Sequence, residues 1–345
     1  MKNNFTRFAI IGIFVFGTFV NAGALLDAAP MEPVGIPLGT LALEGTSFVS
    51  ALKEMGEKWS NASGGAIKLT VYAGTQGGEA NMVRKMNSGI LKAGMLTVVG
   101  LSDIDRSVGG LSFLPLTFRT WEEYDYVREK LSPRLEKLLL DKGYVVLFWG
   151  DAGWVRFFSK TAVVHPDDLK KLDLFTWAGD SFQVDLMKTL GYHPVPRETA
   201  DILPGLKTGL ISAIPLPPYQ ALAGQCYTIA KHMLDLKWSV LSGAAIIRKD
   251  VWDKFPADIQ KQLRSAAEIA GGKIRASSRK EEDESIATMK GKGLIVHPTT
   301  PQIEEEWQQI TKTIYPQIRV KKVPADIFDD VQRLVAEFRA KGSKK

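Results

Sequence analysis

The chain has 345 residues, 45% of them hydrophobic and 24% charged, an ordinary globular balance with length enough for two domains. Its formal charge of +6 sits largely at the ends, in Lys2, Arg7 and the tail RAKGSKK. The body is therefore close to neutral and carries no nucleic-acid signature. Cys226 is the single cysteine, which excludes an internal disulfide.

Lys2 and Arg7, the apolar run Phe8 to Val20 and the small residues Ala22-Gly23-Ala24 together describe a secretory signal over residues 1–24. The run is shorter than the roughly 20 residues of a membrane span, which leaves an uncleaved anchor as the alternative. Strand and helix patterns then alternate. GIPLGTLAL (35–43) reads as a strand. TSFVSALKEMGEKWSN places Phe48, Leu52, Met55 and Trp59 at helical spacing behind a Thr46/Ser47 cap. AIKLTVYA alternates as a strand, a helix is expected over 79–88, and MLTVV (95–99) is a buried strand.

WEEYDYVREKL and PRLEKLLLDKG read as two helical pieces broken at Ser132-Pro133. YVVLFWG (144–150) is a buried strand, with VRFFSK (155–160) leading away from it. Strand–helix pairs follow at 172–177 and 180–190, at 192–196 and 199–208, and at 210–214 and 218–230. AAIIRK (244–249) is a returning strand. A long charged helix from Pro256 to about Lys290 is expected to kink or break at Gly271-Gly272, since glycine pairs are poor helix formers. A short strand (294–297) and helices near 301–315 and 325–340 complete the chain.

This alternation predicts an α/β fold of mostly parallel sheets flanked by helices. Two segments echo each other: EGTSFVSALKEMG (44–56) and AGDSFQVDLMKTLG (178–191) each follow a strand with Gly, a cap, Ser, Phe and an amphipathic helix. Such helix starts at strand ends are where ligands bind in open parallel sheets, although two capped helices can also match by chance.

The catalytic inventory is thin. His165, His193, His232 and His297 lack metal-ligand spacing, and no G-x-S-x-G, P-loop or G-x-G-x-x-G occurs. GTQGG (74–78) is either a tight strand-to-helix turn or a place of close backbone approach to a ligand. No cofactor or metal is expected. The unusual content is aromatic and prolyl: Trp149, Trp154, Phe157, Phe158, Phe175, Trp177, Phe182 and Trp238, with AIPLPPYQAL (213–222) directly after a strand. Aromatics gathered at strand ends point to a pocket, because binding sites are mostly apolar with few polar groups.

The order and spacing of several motifs resemble the solute-binding proteins of tripartite ATP-independent periplasmic (TRAP) transporters, DctP type. These are LALEGTSFVSALKEMGEKWSNASGG, LTVYAGTQGGEANMVRKMNSG, LSFLPLTFRTWEEYDYV, HPDDLKKLDL, LGYHPVPRETADILPGLKTGLISA and RKDVWDKFPADIQKQL, spanning about residues 36–315. The resemblance implies a non-enzymatic periplasmic protein of two α/β domains around a cleft, bridged by a long helix. Such a protein delivers a small solute to one small and one large membrane subunit. The implied division is 25–158 with 244–270, then 159–243, with 271–345 packing on both.

Departures from the family pattern concern the ligand. The family's substrate-binding Arg on the strand after D-L-K-G falls on Phe175, and its later polar segment becomes SAIPLP, with Ser212, Pro215 and Leu216. A second family Arg falls on Val155, or on Arg156 with a slip of one residue. Glu44 of the opening motif, Gln76 of the glycine-rich turn, Trp154, Arg156, Phe175, Trp177, Asp180, Pro215, Leu216 and Trp238 form the candidate ligand set. An apolar, aromatic or amphipathic solute is expected in place of a small dicarboxylate. A monocarboxylate meeting Arg156, a sensor or lipid-handling protein on the same fold, and an enzyme with a concealed acid–base pair are the competing readings.

Overall fold

The computed structural model describes residues 31–342 together with Met1; the expected signal segment lies outside the described residues. Among the described residues nine strands form one sheet: β1 (Val34–Thr40), β2 (Ile67–Ala73), β3 (Ala93–Thr97), β4 (Tyr144–Ser159), β5 (Asp173–Trp177), β6 (His193–Arg197), β7 (Ala213–Leu216), β8 (His232–Arg248) and β9 (Ile295–His297). Their order is β2-β1-β3-β8-β4-β7-β5-β6, with β9 also on β8. The flanks β2-β1-β3 and β7-β5-β6 are parallel. The middle is not: β8 runs antiparallel to β3 and β4, and β4 antiparallel to β7. The sheet is thus mixed, a parallel group at each end of an antiparallel spine.

The spine is longer than the sequence pattern showed. YVVLFWG and VRFFSK are one 16-residue strand, and AAIIRK is the end of a 17-residue strand that begins at His232. Register shifts between Val146 and Phe148, Asp151 and Trp154, and Val155 and Phe157 bulge β4 where it passes from one flank to the other. Bulges bend a strand and disturb its alternation, so the two apolar stretches look separate in sequence.

Two expected helix breaks do not occur. Trp121–Asp141 is continuous with Pro133 inside it. There the Ser132 hydroxyl donates to the Arg128 carbonyl at 2.7 Å, one residue before the Glu129 carbonyl whose helical donor Pro133 lacks. The helix Ala257–Gly291 runs through Gly271-Gly272 without interruption. A Cβ on Gly271 would stand 2.7 Å from the Phe148 side chain, whereas one on Gly272 would meet nothing within 4 Å. Gly271 is there for close helix-to-strand packing, and tertiary contact outweighs its weak propensity.

This helix touches both flanks in turn. Its Leu263 carbonyl accepts from Trp59 Nε1 at 3.0 Å. Ser278 and Arg279 bind Asp151 at the β4 bulge, Glu282 pairs with Arg156, and Met289 enters the core around Phe158, Phe175 and Leu206. Helix Pro301–Gln317 docks through Trp307, which stacks on Phe157 at 5.2 Å and donates to the Val164 carbonyl. Among the described residues no helix is long and apolar enough to cross a membrane.

Candidate ligand-binding cleft

The carboxyl ends of the parallel strands converge on one cleft beside the bulged spine. Leu41 and Thr97 approach from one flank, Trp177, Pro215 and Leu216 from the other, and Val155 with Ser239–Leu241 from the spine. Trp177 stands at the junction and lines three adjoining recesses. The inner recess, about 740 Å³, has Val98, Phe113, Val155, Phe182, Pro215 and Trp238 in its wall. A second of about 820 Å³ is polar, with Asp103, Arg106, Glu198 and Lys321. A third, about 1520 Å³, runs past Leu43, Ile202, Leu216 and Tyr219.

The echoing helix starts both reach this cleft. Thr46 caps Ser47–Ala62 by accepting from Val49 N at 3.4 Å and lines the third recess. Asp180 caps Ser181–Thr189 by accepting from Gln183 N at 3.0 Å and lines the inner and polar recesses. Its other oxygen takes Lys322 Nζ at 2.8 Å, and both side chains are largely buried.

Glu79, at the end of the glycine-rich motif, is wholly buried. It accepts from Thr97 N at 2.5 Å, Thr97 Oγ1 at 2.6 Å and Gly100 N at 2.9 Å, fixing the strand-to-helix turn that closes the cleft. Burial nevertheless raises its carboxyl above the ordinary range, with those donors opposing. Gly78 serves close approach, since a Cβ there would lie 2.0 Å from Glu198 Oε2 on the opposite flank. Asp103 is also raised, first by burial and further by Asp180, against the pull of Lys322.

Of the expected ligand set, the structure brings Trp177, Asp180, Pro215, Leu216 and Trp238 to the cleft. Phe175 lies beneath it, fully buried, with its ring edge-on to Trp177 at 5.2 Å. Trp154 packs in the core against Trp121. Glu44 is exposed and paired with Lys53, and Gln76 Oε1 accepts from Lys85 at 3.0 Å; neither lines the recesses described. Arg156 points away from the cleft, to Glu282 at 2.5 Å and Asp235 at 2.8 Å, while its neighbour Val155 lines the inner recess. Sequence reasoning missed Lys322 and Glu198, because a lysine after a helix and a glutamate before one look like ordinary surface.

Fold and cleft together are those of a solute-binding protein. The chain belongs to the bacterial extracellular solute-binding proteins, family 7 (DctP), whose model matches residues 38–322. Proteins of this family are receptors and not enzymes. The chain is 22% identical to the C4-dicarboxylate-binding periplasmic protein DctP of Rhodobacter capsulatus over 94% of this chain and 98% of that one. It is 25% identical to the 2,3-diketo-L-gulonate-binding periplasmic protein YiaO of Escherichia coli K12, over 81% and 86%. A solved TRAP periplasmic solute-binding protein of Ralstonia eutropha, holding (S)-2-acetolactate, shares the fold with a TM-score of 0.82 at 18% identity, covering 88% of this chain and 99% of that one.

Proposed function

We propose that the chain captures a small organic acid with an apolar body in this cleft and delivers it to the membrane subunits of a TRAP-type transporter. The observation that carries this reading is the composition of the inner recess: Trp177, Phe182, Trp238, Val155 and Pro215 in its wall, with Asp180 and Lys322 its only charged lining groups. In this reading residues 25–158 with 244–270 form one lobe and 159–243 the other, and the helices of 271–345 pack on both.

The relatives support the acid: one is named for C4-dicarboxylates, another for a diketo sugar acid, and the Ralstonia structure holds a keto acid. The residues of this chain support the apolar body. Phe175, Pro215 and Leu216 stand where the resemblance places polar ligand contacts, and none brings a charge. A second carboxylate buried among them without a partner costs several kcal/mol.

Magnitudes show that the wall alone is insufficient. A ring burying on the order of 150 Å² gains about 4 kcal/mol at roughly 25 cal/mol per Å², against about 8 kcal/mol for micromolar affinity. A polar anchor has to supply much of the rest. Calorimetric titration of the purified protein with phenylacetate, succinate and galacturonate tests the reading. Phenylacetate is expected to bind the tightest; preference for succinate or galacturonate overturns the apolar body.

A further inference from the structure

We propose that Lys322 is the residue that reads the solute's carboxylate, taking the role that a guanidinium on β5 would otherwise fill; this rests on the solute reading above. Among the described residues Lys322 is the only cationic side chain lining the inner recess, and it lines the polar recess as well. Phe175 brings no charge to the cleft, and Arg156 is engaged by Glu282 and Asp235 away from it. The other cations beside the cleft, Arg106 and Lys321, are exposed at its polar end, where Arg106 Nη1 donates to the Lys321 carbonyl at 3.2 Å.

The backbone delivers this lysine by an unusual turn. Helix Pro301–Gln317 contains Pro316 and gives way to a π-helical turn, Ile318–Lys322, closed by Val323 N to the Ile318 carbonyl at 2.8 Å. A proline near a helix end disturbs the α ladder, and π turns recur at functional sites. The turn sets Lys322 Nζ over the Phe113 ring at 4.1 Å and within 5.9 Å of the Phe182 centroid. Those rings hold the ammonium against the apolar wall, where an acid's head and body can be met together.

Asp180 does not use up this cation. One of its oxygens caps Ser181–Thr189 and the other takes one ammonium proton. An ammonium has three donors. The carboxylate's charge is shared with a helix N-terminus worth roughly half a positive charge, so Asp180 by itself does not cancel the charge that Lys322 presents to the recess. Asp103 and Glu198 of the polar recess oppose a second anionic group, which favours one carboxylate over two.

The test compares phenylacetate with its neutral isostere phenylacetamide in the wild-type chain and in Lys322→Met, Lys322→Arg and the double variant Asp180→Asn/Lys322→Met. The double variant removes the carboxylate that the single change leaves buried and unpaired. Wild type is expected to prefer phenylacetate by at least about tenfold, or 1.4 kcal/mol. Lys322→Met and the double variant are expected to lose that preference while still binding phenylacetamide, and Lys322→Arg to keep it. Preference retained in the double variant, or equal binding of acid and amide by wild type, overturns the role of Lys322 and leaves the apolar-solute reading standing. Binding of succinate alone, or of none of these probes, overturns both.

Discussion

At Arg156 the guanidinium meets Glu282 and Asp235 along one side of β4, while Val155 faces the cleft. The register shift between Val155 and Phe157 lies at this point, so counting alternate residues along the strand cannot assign the direction from sequence alone. Arg156→Met leaves the Glu282 carboxylate buried without its cation, a change that costs about 3–5 kcal/mol. Burial already raises the Glu282 carboxyl, and losing the arginine, which lowers it, raises it further. A carboxyl raised in the folded state loses stability for the fold as pH climbs from its unfolded value up to its folded value. Urea unfolding should therefore show a larger loss at about pH 8 than at about pH 5, with phenylacetate affinity unchanged. A change in affinity with no change in stability would return Arg156 to the ligand. The residues legible in sequence were those at strand ends with a local signature: Trp177 after β5, Asp180 as a cap, and Pro215 and Leu216 in a charge-free run. Lys322 was not, because its partners Asp180 and Phe113 are far away in sequence.

Elements were legible where one period ran unbroken. The helix Ser47–Ala62, the strand β2 and the helix pattern after Thr300 follow their apolar spacing and caps closely. The two misread helices, Trp121–Asp141 and Ala257–Gly291, came from proline and glycine taken as terminators. Gly271 and Gly272 separate the two effects of glycine and allow a paired prediction. Gly271→Ala drives a methyl against the Phe148 Cβ and ring, and overpacking of this kind costs about 1–3 kcal/mol. Gly272→Ala meets open space and should stabilise the helix by up to about 1 kcal/mol. Denaturant midpoints of the two variants should move in opposite directions. Movement in the same direction would contradict the packing described for this helix.

For the whole molecule, the antiparallel spine and the long helix make one framework from two parallel groups, and the cleft opens where the spine bulges between them. The parallel groups could be read from the βα alternation, as could the helix along them. The spine could not, since the first half of β8, His232–Ser239, mixes charges with apolar residues and shows no clean strand alternation. Family membership establishes a receptor; the chain's own residues narrow what it receives. The most direct measurement is native mass spectrometry of the protein isolated from periplasm, with release and identification of whatever it carries. The account predicts a monocarboxylic acid with an apolar body, and a dicarboxylate or a polyhydroxylated sugar acid as the bound species would contradict it.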